Sequence, residues 1–183
     1  MKELSLNVLD IIQNSISAGA KSIGISLVED KNGMLTIEIK DDGCGMSAET
    51  LEKAINPFYT TRKTRKVGMG IPLFKLAAEQ TDGYLTIESK SAREHPSEHG
   101  TTVTAVFNTR HVDFTPIGDM VSTVCTIIQG NPEINFVFYH KGANFEVRLD
   151  TAELRQTLGE DIPLSAYEVI CWISDYLKEH YNE

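Results

Sequence analysis

One stretch constrains this chain more than any other. An alternating run, Met34-Leu35-Thr36-Ile37-Glu38-Ile39-Lys40, stops at Asp41-Asp42-Gly43-Cys44-Gly45-Met46. Apolar residues at every second position mark a half-buried β-strand. That strand ends on a carboxylate and turns at once through two glycines. Glycine permits the tight turn and, lacking a β-carbon, lets a flat ligand approach the backbone. An Asp held there can accept a hydrogen bond from an exocyclic amine. Taken alone, Asp-x-Gly-x-Gly is also what an ordinary strand-to-loop turn looks like, so its meaning rests on its surroundings.

Upstream, Leu4, Val8, Ile11, Ile12 and Ile16 recur at helical spacing, which predicts a helix over about residues 2–18 with one buried face. Gly19 ends it, and residues 23–28 read as a strand. Glu29-Asp30-Lys31-Asn32-Gly33 supplies an Asn-Gly turn, so the strands on either side of it form a hairpin. Asp10 and Asn14 lie four apart and are neighbours on the helix surface. They suit a solvated helix edge. They also suit an octahedral Mg²⁺, with the amide oxygen as ligand and the carboxylate orienting a water.

Downstream, Ser47 caps a short helix that Asn56-Pro57 stops. A basic segment follows, Phe58-Tyr59-Thr60-Thr61-Arg62-Lys63-Thr64-Arg65-Lys66-Val67, and closes on Gly68-Met69-Gly70-Ile71 before a helix over residues 72–80. Pro72 is tolerated in that first turn, where no amide donor is needed. Glycines just before a helix start expose amides and the positive dipole end to an anion such as phosphate. Residues 84–89 and 100–107 alternate and pair as further strands. Beyond His111, a helical stripe spans residues 119–129, a hairpin turns at Lys141-Gly142-Ala143, and helices begin near Thr151 and Ser165. This stretch, residues 111–183, is either a partner- or dimer-facing lobe or an α/β layer that completes the fold.

Composition removes several alternatives. A net charge of −9 over 183 residues disfavours non-specific binding to nucleic acid or anionic membrane. Cys44, Cys125 and Cys171 are far apart and form no CxxC pair, which argues against a zinc site or disulfide framework and fits a reducing cytosol. The chain shows no basic-then-apolar leader and no apolar run of membrane-spanning length. The expected location is cytoplasmic.

The ordered motifs Asn14, Asp41-x-Gly43-x-Gly45, Gly68-x-Gly70 and Gly100-Thr101 resemble the GHKL ATPase superfamily of gyrase B subunits, Hsp90 chaperones, histidine kinases and MutL proteins. The resemblance covers about residues 1–110. It implies a two-layer α/β sandwich, the Bergerat-type fold, with a mixed sheet under helices and a Mg²⁺-ATP pocket between them. By the same resemblance Asn14 is the Mg²⁺ ligand, Asp41 meets the adenine amine, and Gly43, Gly45 and Met46 form the first glycine turn. Gly68, Met69, Gly70 and Ile71 form the second glycine box beside the phosphates, and Thr101 lies near adenine. Ser15-Ile16-Ser17-Ala18-Gly19-Ala20 is most similar to MutL. Pro57-Phe58-Tyr59-Thr60-Thr61 followed by Gly68-Met69-Gly70-Ile71-Pro72-Leu73 is more similar to histidine kinases, and Thr60, Thr61 and Lys63 of this basic segment join the expected nucleotide contacts.

Departures from the family pattern bear on chemistry. Asp10 stands where hydrolysing members carry the Glu that acts as general base, and its stem is one methylene shorter. Ser17 stands where Asp is common. None of His95, His99, His111, His140 or His180 lies in a phosphoacceptor context, and the chain begins at the Asn14 helix, so self-phosphorylation on histidine is not expected. Three functions stay open: an ATPase or ATP-gated switch, a serine/threonine kinase of the anti-sigma-factor type acting on a separate protein, and a nucleotide-binding module without chemistry. ATP and a protein partner or second copy are the expected partners.

Overall fold

A computed structural model describes residues 3–55, 69–159 and 161–181. Its helices are α1 (Leu4–Ser17), α2 (Ala48–Ala54), α3 (Gly70–Glu79), α4 (Met120–Gly130), α5 (Thr151–Leu158) and α6 (Tyr167–Tyr181). Its strands are β1 (Ser22–Glu29), β2 (Met34–Asp41), β3 (Tyr84–Lys90), β4 (Gly100–Asn108), β5 (Asn135–Lys141) and β6 (Glu146–Asp150). The elements fall where periodicity places them, with shifts at the ends. The third helix starts at Gly70 instead of Pro72, leaving Pro72 inside its first turn, and the last helix runs on to Tyr181.

The strands form one open six-stranded sheet in the order β3-β4-β2-β1-β5-β6. Neighbours are antiparallel except β1 and β5, which run parallel, so the sheet is mixed. The β1–β2 hairpin turns where the Asn-Gly pair lies. Gly33 has φ 79° there, and Asp30 Oδ1 accepts the amides of Asn32 and Met34 at 2.8 Å each. Parallel pairing of β5 beside β1 brings the region after residue 111 into the same sheet and the same apolar core.

That core lies on one face of the sheet. Ile23, Ile25, Leu27, Leu35, Ile37, Ile39, Ala105, Phe107, Phe136 and Phe138 are buried on it, while alternating positions such as Ser26, Glu38 and Thr104 are half-buried or exposed. Alternation alone sets this division, because a strand sends successive side chains to opposite faces. Leu4, Val8, Ile11 and Ile12 of α1 cover the centre, with Phe74 and Ala78 of α3 and Val124, Ile127 and Ile128 of α4 also buried in the core. Helix α1 packs against both α3 and α4, and α6 packs on α4. No helix among the described residues is long and apolar enough to cross a membrane.

The starts of α1, α2, α4 and α5 are closed by side chains or by the linker. Ser47 Oγ accepts Thr50 N at 3.4 Å, Asp119 Oδ1 accepts Ser122 N at 2.8 Å, and Asp150 Oδ1 accepts Ala152 N at 2.9 Å. Asp150 is thus the cap of α5. Its neighbour Thr151 is turned inward, where its hydroxyl accepts Phe136 N at 2.8 Å. The amides of Leu4 and Ser5, at the start of α1, donate to Pro116 O and Ile117 O at 2.9 and 2.8 Å. The linker ahead of α4 therefore serves as the N-terminal cap of α1.

His140 on β5 joins the end of α6 to the sheet. It is 4% exposed, stacks edge-on with Phe145 and Tyr181, and lies 2.7 Å through Nδ1 from the Tyr181 hydroxyl. Burial lowers its pKa from 6.5 to about 4, and burial drives the Tyr181 hydroxyl above its ordinary value. Between about pH 6.5 and pH 4 the unfolded chain binds a proton at His140 that the folded chain refuses, so stability falls as pH falls through that window. His140→Gln, which cannot ionise, should lose about 2 kcal/mol less stability than the parent between pH 7 and pH 4.5. Urea titrations of both proteins at the two pH values check this; equal losses would contradict it.

Candidate functional site

The carboxylate at the end of β2 is held from three directions. Asp41 is 9% exposed. Ser15 Oγ donates to its Oδ2 at 2.6 Å, Gly43 N to its Oδ1 at 2.9 Å, and Thr101 N to the same Oδ1 at 3.3 Å. These donors come from α1, from the turn after β2 and from the start of β4, so three elements fix one rotamer. A carboxylate oxygen can accept two hydrogen bonds. Oδ1 holds two donors among the described residues and Oδ2 holds one, so Oδ2 retains the capacity to accept another, such as an amine.

The adjacent Asp42 has a different task. Its Oδ1 accepts Lys21 N at 2.7 Å and Ser22 N at 2.9 Å, tying the turn to the start of β1. The rest of the turn is pinned on its other flank. Cys44 N donates to Ala18 O and Ala92 N to Cys44 O, both at 2.9 Å. Met46 N donates to Ser89 Oγ at 2.8 Å, and the Ser89 hydroxyl lies 2.9 Å from Thr101 Oγ1 and 3.1 Å from Gly100 O. His99 Nδ1 sits 2.7 Å from Gly43 O.

The glycines answer first to the protein's own atoms. A β-carbon on Gly43 would lie 2.9 Å from Ala18 Cβ. On Gly45, with φ 63°, it would lie 1.9 Å from Lys90 O, and on Gly100, with φ 137°, 2.0 Å from Asp41 O. Two strand ends and the turn pass so close together that no side chain fits between them. The tight turn read from the sequence is thus what these positions display, since the contacts they forbid are with the protein's own backbone and Ala18.

One turn apart on α1, Asp10 is half-buried and Asn14 exposed. Helix α3 opens directly against Asp10: a β-carbon on Gly70 would lie 3.2 Å from Asp10 Cβ. Met69 precedes that helix at 41% exposure and offers it no side-chain cap, whereas the Ile71 side chain points into the core. The contacts Gly70–Asp10, Ser15–Asp41, Gly43–Asp41 and Thr101–Asp41 bring Asp10, Asp41, Gly43, Gly70 and Thr101 alongside α1, while Gly45 packs against Lys90 and Met46 is tied to Ser89. Thr60, Thr61, Lys63 and Gly68 lie outside the described residues.

Sequence reasoning did not single out Ser15, Ser89 or His99 as site residues. For Ser15 a signal existed: it follows Ile11 by four positions, on the buried stripe, where a hydroxyl needs a partner. Ser89 and His99 carry no such mark, since their partners are set by strand register.

The histidine kinase-, DNA gyrase B- and HSP90-like ATPase family matches residues 2–111. Sporulation kinase C of Bacillus subtilis (strain 168) is 34% identical over 86 residues, 46% of this chain and 20% of that protein. DNA mismatch repair protein MutL of Anaplasma phagocytophilum (strain HZ) is 47% identical over 55 residues, 30% of this chain and 8% of that one. The chain thus spans a fifth or less of the length of these relatives. In fold it is similar to the Aquifex aeolicus MutL ATPase domain complexed with ADP, at a TM-score of 0.56 and 16% identity, covering 86% of this chain and 68% of that one. Motif order, an open mixed sheet under helices and the matched span agree, and the chain belongs to the histidine kinase-, DNA gyrase B- and HSP90-like ATPase family.

Proposed function

We propose that this protein binds Mg²⁺-ATP at the C-terminal half of α1 and either hydrolyses it or uses it as a conformational switch. The observation that carries the reading is the Asp41 carboxylate, nearly buried and held by Ser15, Gly43 and Thr101 with one oxygen still able to accept an amine. Adenine presents such an amine. The ADP held by the similar MutL ATPase domain supports the same ligand class.

The donor set also fits the metal. Asn14 is exposed on α1, one turn from Asp10, and Mg²⁺ keeps several waters and takes substrate phosphates plus one or two protein oxygens. Asn14 would give the amide oxygen, and the ion would neutralise charge on the phosphate oxygens. Asp10, beside the start of α3, would act as the base: its carboxylate would take a proton from the water whose oxygen bonds to the terminal phosphorus as the bond to ADP breaks. First-turn amides of α3 face the same region with the positive end of the helix dipole.

A second reading is phosphoryl transfer to serine or threonine on a separate protein; the likeness to Sporulation kinase C supports kinase chemistry as such. Labelled phosphate released to solvent supports hydrolysis; label retained on an added partner supports transfer.

Two predictions separate the roles. Asp41→Asn keeps size and can still accept from Gly43 and Thr101, so the fold should persist, yet ATP affinity should fall by on the order of 1–3 kcal/mol. Titration calorimetry beside circular dichroism measures both, and unchanged affinity would sink the adenine assignment. Asn14→Ala should remove the gain in affinity that Mg²⁺ provides while sparing adenosine. Asp10→Asn should spare ATP binding and stop phosphate release. Equal loss of binding in those two variants would contradict separate base and ligand roles.

A further inference from the structure

Helices α4 and α6 pack against each other away from the nucleotide region and leave a groove of about 310 Å³ between them. Ser122, Cys125, Cys171, Ser174, Asp175 and Lys178 line it. Two of the three cysteines of the chain, remote in sequence, thus share one groove. Both are half-buried, so solvent reaches them. Cys125 Sγ already touches the turn of α6 that carries the other thiol: it lies 4.0 Å from the carbonyl oxygen of Ile170, the residue before Cys171.

We propose that Cys125 and Cys171 are a redox-active thiol pair, which a low-molecular-weight disulfide such as oxidised glutathione converts into a cross-link between α4 and α6. A disulfide needs Cα atoms within about 7 Å of each other, and the Cys125 sulfur already lies 4.0 Å from the backbone oxygen of the residue next to Cys171. Exchange runs in two steps. The Cys171 thiolate attacks one sulfur of the oxidant, forming a mixed disulfide and expelling one glutathione thiolate, which takes a proton. The Cys125 thiolate, its proton passed to water, then attacks the Cys171 sulfur and expels the second glutathione. Two electrons pass from the thiol pair to the oxidant, and two glutathione thiols result. The order follows from burial, which pushes the Cys125 thiol up, against the nearby Lys178 ammonium. A thiol that burial holds protonated is a slow first nucleophile.

The test uses the full chain with its three cysteines. Native protein and protein in urea are incubated with oxidised glutathione, trapped with an alkylating reagent, and digested without reduction for mass spectrometry. The expected product is a peptide pair joined through Cys125 and Cys171. It should form in native protein about tenfold faster or more than in urea, where the chain between them must be closed as a loop. The oxidised protein should also melt about 5 °C higher or more than the reduced one. Stable glutathione adducts on both cysteines with no joined peptide would overturn the proposal. So would a cross-link that forms only in urea, or two thiols that stay unreacted in native protein.

Discussion

Asp41 sits where α1, β2 and β4 converge, and its hydrogen bonds state what each must do. The Ser15 hydroxyl requires α1 to lie across the end of β2, and the Thr101 amide requires β4 in register beside it, with Asp41 opposite Thr101. The Gly43 amide requires the chain to reverse within two residues. A carboxylate with 9% exposure is costly unless such donors meet it. Its charge therefore rewards only the arrangement that supplies all of them. The apolar core brings α1 onto the sheet, and this polar junction sets where along the sheet it rests.

Much of this was legible in the sequence, for local reasons. The alternation of Met34 to Lys40 specifies a strand and the face it buries; the stripe of Leu4, Val8, Ile11 and Ile12 specifies a helix and its inward side. Asn32-Gly33 specifies a hairpin turn. What could not be read is the placement of β5 parallel to β1, since β5 follows β1 by a long stretch of chain and no local pattern selects its neighbour. The same non-local placement hides the groove that Cys125 and Cys171 both line. At the site the legible part was residue type and order. The part that escaped was who holds whom: Ser15 on Asp41, Ser89 on the turn, His99 on Gly43.

Asp41 and Asp42 show how far residue type can mislead. Both are carboxylates in the same turn, and each accepts more than one backbone amide. Asp42 spends its acceptor on the start of β1 and is exposed, while Asp41 turns inward and keeps acceptor capacity on Oδ2. The alternation of β2 decides between them. Ile37 and Ile39 are buried, so Asp41 continues the inward face and Asp42 falls on the other. Strand parity, which sequence displays openly, thus says which of the two carboxylates is buried before any motif is consulted.

The region after residue 111 bears on the site through α1. The linker carbonyls of Pro116 and Ile117 close the first turn of that helix, and α4 packs along its side, as α3 does on the other. Asp10 and Asn14 ride on α1, so their position relative to Gly70 and Asp41 depends on contacts from both halves of the chain. A change in α3 at its junction with Asp10 can therefore be felt by α4 through a helix clamped on both flanks. Packed helices of this kind shift as rigid units, because a close-packed core does not deform continuously. That makes α1 the element that joins the contacts of α3 to those of α4.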